Sequence, residues 1–122
     1  MAEMATYIGI QPRTILANAA LGRGIRVSLN SSGSCDASGI TDAGDYITLT
    51  AIEAAKVGNA TSMHGGGKVP AISSEAAAVG DPAYTAASGK FSKTSGSSAV
   101  LVGKWALATS GADVLGEIEL AV

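Results

Sequence analysis

Residues 76–96 read AAAVGDPAYTAASGKFSKTSG. With Ser73, Ser74 and Glu75 ahead of it, the alanine run predicts one or two helical turns, capped by a serine and stopped at Gly80. Asp81-Pro82 then turns the chain. DPAYTA predicts a strand, ASGK a turn, KFSKT a strand and SGSS a loop. An earlier stretch, GIRVSLNSSGSCDAS at 24–38, has the same grammar. In it Ile25, Val27 and Leu29 alternate with Arg26 and Ser28, Gly33 supplies the turn, and Cys35 starts the return.

The two stretches overlay at a spacing of 56 residues: Gly24 on Gly80, Gly33 on Gly89, and Leu49 on Trp105. Each half reads glycine, strand, Ser-Gly turn, strand, polar loop, strand, small-residue turn, strand. Turn glycines recur in any β protein, but the shared order favours pseudo-duplication. The fold class expected is mainly β: a small β-barrel or two-sheet sandwich with pseudo-duplicated halves, one or two short helices and an extended N-terminal arm.

Outward from these stretches, YITLTAI at 46–52 alternates as a strand, EAAKVGN at 53–59 reads as a short helical or turn segment, and ATSMHG as a further strand. GGGK at 65–68 reads as a flexible loop, and Pro70 holds VPAI extended. AVLVGKWALA and VLGEIELAV are the last strands, and Gly116 marks a bulge or a close backbone approach. Residues 1–22 follow no single period and read as an arm, ahead of one β domain at 23–122 with halves of about 23–70 and 71–122.

A chain of 122 residues fits one domain, and 47% hydrophobic residues exclude a disordered polymer. The net charge of −2 gives no general pull toward nucleic acid or membrane. Its distribution is uneven. Residues 1–35 carry Arg13, Arg23 and Arg26 against Glu3, whereas the rest is acidic. A mildly basic arm on an acidic body fits docking on an acidic surface. One cysteine excludes an internal disulfide, and no signal peptide or apolar run of membrane length is visible.

Catalytic grammar is thin. Cys35 and His64 would have to meet, with Asp36 or Asp42 as orienter, to make a nucleophile–base pair. A small buried cysteine and a loop histidine are the better reading. HGGGK lacks the hydroxyl residue that a phosphate loop places after its lysine. No spacing of acids, Cys or His predicts calcium or zinc, so neither metal nor cofactor is expected. Aromatics do not interleave with Lys and Arg as nucleic-acid platforms require. Trp105, on an apolar strand, reads as core or as the anchor of a subunit contact.

The run from AVGDPAYTAASGKFSKTSG to ADVLGEIEL resembles the small capsid decoration (cement) proteins of tailed phages in the DUF2190-like family. The likeness rests on Gly80, Asp81 and Tyr84, then Gly89-Lys90, Val102-Gly103, Gly111 and Asp113, and a last alternating strand. It spans residues 20–122, more loosely in the first half, where YITLTAI lacks the family's Val-Gly step. The resemblance implies a non-enzymatic structural virion protein, made in the host cytoplasm, that binds the capsid exterior. Its partner would be the major capsid protein, whose lattice it would stabilise after expansion, often as a homotrimer. The arm then supplies most of the expected capsid or subunit contacts, Tyr7, Ile8, Ile10, Arg13, Ile15 and Leu16, with Arg23, Arg26 and Trp105 beyond it. The competing class is a ligand- or carbohydrate-binding β module of a phage tail or surface protein, for which 4% aromatics is little.

Overall fold

Alternating apolar and polar residues build ten short strands: β1 (Pro12–Leu16), β2 (Arg26–Leu29), β3 (Cys35–Ala37), β4 (Tyr46–Thr48), β5 (Val57–Ser62), β6 (Gly67–Ile72), β7 (Pro82–Thr85), β8 (Phe91–Ser92), β9 (Leu101–Leu107) and β10 (Leu115–Leu120). The computed structural model describes residues 12–96 and 98–121. The strands form two five-stranded sheets, ordered β1-β5-β4-β2-β3 and β6-β10-β9-β7-β8, with every pairing antiparallel. Raising each strand number of the first sheet by five gives the second. The fold is therefore mainly β and duplicated, as two open sheets and not a closed barrel.

Finer contacts repeat as well. Bridges Ala17–Cys35 and Leu21–Ile52 recur as Ser73–Phe91 and Ala77–Thr109. Ala55 and Asp113 take the same left-handed conformation, at φ 62° and 61°. The spacing is 56 residues as far as Cys35 and Phe91, and grows to 58 by Ala55 and Asp113. The second repeat thus carries one extra residue before β9 and one before β10. This corrects the overlay of Leu49 on Trp105: Gly24 N–H donates to Thr48 O where Gly80 N–H donates to Trp105 O, so Trp105 matches Thr48.

The helices expected from the alanine runs are not formed. Ser73 and Ala77 are tied by bridges to Phe91 and Thr109, which hold SSEAAAVG in a non-helical crossing segment. EAAKVGN, read as a short helical or turn segment, forms the turn: Lys56 N–H donates to Glu53 O, after which β5 begins. Tertiary pairing here overrides alanine's helix propensity. Among the described residues the one helical piece is a 3-10 turn, Ala87–Gly89. Gly67 and Lys68, read as loop, start β6. Of the arm, residues 12–16 are the edge strand β1, paired to β5. Tyr7, Ile8 and Ile10 lie outside the described residues.

Two clusters form the core. Ile15, Ala17, Leu21, Val27, Cys35, Ile52 and Ala60 fill a small one within the first repeat. The larger one gathers Val69, Ala71, Phe91, Val102, Trp105, Ile118 and Leu120 of the second repeat, joined by Ile47 and Met63 from the first. Gly116 makes the close approach that its place in the last strand predicts. A Cβ there would lie 2.9 Å from the Leu107 backbone oxygen, beside a register shift between β9 and β10.

Candidate functional site

Two features stand out from this frame: a polar junction between the repeats and an open cleft on the first. Arg26 sits at the junction with no solvent exposure. Its Nε donates to Asp42 O (2.9 Å), Nη1 to Lys90 O (2.6 Å), and Nη2 to Gly39 O (2.8 Å) and Ala86 O (2.9 Å). Its guanidinium carbon lies 5.2 Å from the Phe91 ring centroid, within cation–π range. Burial lowers its pKa to about 10 against the opposing pull of Asp42, so it stays charged at neutral pH. Around it Gly89 N–H donates to Ser38 O (2.7 Å), Ile72 N–H to Gly24 O (3.0 Å), and Thr85 Oγ1 to Ile40 O.

The junction is asymmetric. Gly24, Arg26 and residues 38–42 of the first repeat meet Ile72 and residues 85–91 of the second. Gly33, the counterpart of Gly89, has open space where a Cβ would be.

The cleft, of about 400 Å³, is lined by Arg13 of β1, Leu29 of β2, Asp45 and Tyr46 at the start of β4, Ser62 of β5, and His64. Antiparallel pairing of Tyr46 with Ser62 sets two of its walls side by side. Asp45 Oδ2 accepts the Leu29 N–H (2.9 Å), which orients the carboxylate at the rim. Sequence reasoning named Arg13 but missed Asp45, Tyr46 and Ser62. They come from separate strands, and only the register brings them together.

The other expected contact residues divide by burial. Leu16 and Arg23 are exposed. Ile15, Arg26 and Trp105 are buried inside the chain, where they serve the core and the junction and present no outer surface. Cys35 is fully buried, and that burial, with Asp45 and Asp36 adding to it, pushes its thiol upward, away from a reactive thiolate. It lies in the small core, whereas His64 is exposed at the cleft.

Two surface carboxylates carry a pH dependence. Asp42 is held below its ordinary 3.8, first by the Ser28 hydroxyl (2.6 Å), then by the Gly44 N–H and the Arg26 charge, against a small desolvation effect. Asp36 is lowered by the side-chain amides of Asn18 and Asn30. A carboxylate with a depressed folded pKa adds stability above its unfolded value and loses it as pH falls through the folded one. Urea midpoints are therefore expected to drop below about pH 4, with a shallower acid slope in an Asp36→Asn/Asp42→Asn double variant. An unchanged slope in that variant would assign the acid limb to other groups.

No protein-family model matches the chain and no curated protein matches it, so the decoration family rests on the motif resemblance alone. Among solved structures the chain is similar to one described as the crystal structure of head fiber gp8.5 N base in bacteriophage phi29. The two superpose with a TM-score of 0.69 at 15% identity, over 92% of this chain and 94% of that one. At that identity the likeness is one of fold, and it runs almost end to end.

Proposed function

We propose that the chain is a structural virion protein, not an enzyme, that binds the outer surface of a phage capsid and stabilises the major-capsid lattice after expansion, as a homotrimer. The observation that carries this reading is the near end-to-end likeness of fold to the base of a phage head fiber. The short motifs from Gly80 to Asp113 support it independently, because they resemble a decoration family by sequence and not by fold. The physical logic agrees. A decoration protein needs a rigid, soluble scaffold, and tight binding then comes from several modest contacts made at once. Of the residues first assigned to capsid contact, Arg13 and Leu16 of β1 and Arg23 ahead of β2 are exposed, and residues 1–11 precede β1 in the sequence.

The test is co-sedimentation with expanded and unexpanded heads of the phage that encodes the chain. Binding to expanded heads, with a raised threshold for heat disruption, is expected, and absence of binding to either form overturns the reading. Deleting residues 1–11 leaves β1 intact and is expected to weaken binding at least about tenfold if that segment adds even one well-made contact. Undiminished binding would move the contact elsewhere on the surface.

A further inference from the structure

The intrachain junction shows how one repeat receives another. In the second repeat the receiving face includes Val69, Val102 and Leu120, and Ile47 and Met63 of the first repeat share their buried cluster. The registers give each of these positions a counterpart. Arg13 pairs with Ala60 as Val69 pairs with Ile118, and Tyr46 with Ser62 as Gly103 with Leu120. Met63 N–H donates to Asp45 O as Ala121 N–H donates to Val102 O. Ile47 pairs with Thr61 as Lys104 pairs with Glu119. So Val69, Val102 and Leu120 correspond to Arg13, Asp45 and Ser62, three residues that line the open cleft. The inserting residue Ile47 corresponds to Lys104, with Glu119 beside it.

Among the described residues the receiving face of the first repeat is therefore unfilled, and the inserting corner of the second is on the surface. Lys104 and Glu119 are 64% and 47% exposed in their side chains and 3.8 Å apart. The charges match crosswise: the cleft presents Arg13 and Asp45, the corner Glu119 and Lys104. The rim agrees. Leu16, Leu29 and Val57, all exposed, correspond to Ile72, Thr85 and Leu115, which border the intrachain junction.

We propose that the cleft receives the Lys104–Glu119 corner of a second copy of this chain, Lys104 pairing with Asp45 and Glu119 with Arg13. The apolar plug of the intrachain junction is replaced by ion pairs, so this contact is weaker, reversible and salt-sensitive. Its two faces differ, so copies join head to tail, and the contact closes as a ring or continues as a fibre. Only a count of three copies, which would bring six repeats together, rests on the virion reading; the pairing of faces does not.

Sedimentation velocity over a concentration series tests it. The unaltered chain is expected to self-associate, less so at raised salt. Lys104→Glu places a like charge against Asp45 and is expected to weaken association at least about tenfold. Adding Asp45→Lys in the same chain restores the charge match and the association, while thermal melts followed by circular dichroism confirm that each variant folds. An unaltered chain that stays monomeric, a Lys104→Glu variant that associates normally, or a folded double variant as weak as the single one each overturns the proposal. Capsid co-sedimentation of Lys104→Glu is scored separately, because one chain can bind a capsid without its neighbour.

Discussion

Replacing Arg26 with methionine is expected to lower the stability of the fold by about 2–4 kcal/mol. The side chain fills the junction and donates to four carbonyls drawn from both repeats, at Gly39, Asp42, Ala86 and Lys90. Methionine keeps much of the volume but supplies no donor. Gly39 O keeps the Asp42 N–H and Lys90 O keeps the Ala86 N–H, so the loss falls on Asp42 O and Ala86 O. A buried carbonyl left without a partner costs about 1–3 kcal/mol, offset in part where water reaches it. Removing the buried charge recovers some desolvation energy, which keeps the net loss below the sum of the two. A small domain is stable by about 5–15 kcal/mol, so the variant should be unfolded at modest urea. Arg26→Lys keeps the charge but loses the planar fork that reaches four acceptors, and should fall between the two. Fluorescence of Trp105, the one tryptophan, reports the transition. A methionine variant as stable as the parent would mean that the repeats are held mainly by Ile47 and Met63.

Arg26 also shows where reading the chain residue by residue stops. In IRVSL it alternates with Ile25, Val27 and Leu29, which places it on the polar face of a strand and makes it look like a surface contact. Nothing local tells that a second repeat covers that face. The duplication itself was readable, because turn glycines recur at fixed spacing and conformation demands them at Gly24, Gly33, Gly80 and Gly89, all at positive φ. Its register slipped by one at Trp105, since the extra residue of the second repeat lies in a loop without periodicity. The alanine runs misled because alanine is compatible with a helix but does not require one, and the bridges to Phe91 and Thr109 decide otherwise. The cleft was invisible for a related reason: its walls are set by cross-strand register, and of its lining only Arg13 and His64 carried a signal of their own.

The sharpest check of the asymmetric junction compares one substitution at two equivalent places. Gly33 and Gly89 occupy the same turn in each repeat, with φ of +90° and +73°. Alanine at either must adopt a left-handed conformation, which costs about 1–2 kcal/mol. At Gly33 nothing lies within 4 Å of the new Cβ, so that cost is the whole effect. At Gly89 the Cβ would lie 2.5 Å from Arg26 O and 2.6 Å from Ile25 Cγ2. The backbone oxygen cannot move aside without shifting β2, and the Gly89 N–H bond to Ser38 O would stretch with it. Overpacking of this kind adds about 1–3 kcal/mol. Urea unfolding in dilute protein should therefore rank the chain above Gly33→Ala, and Gly33→Ala well above Gly89→Ala. Equal losses at the two glycines would mean that the second turn is as free as the first. The head-to-tail packing of the repeats, and the open receiving face it leaves on the first, would then both fall.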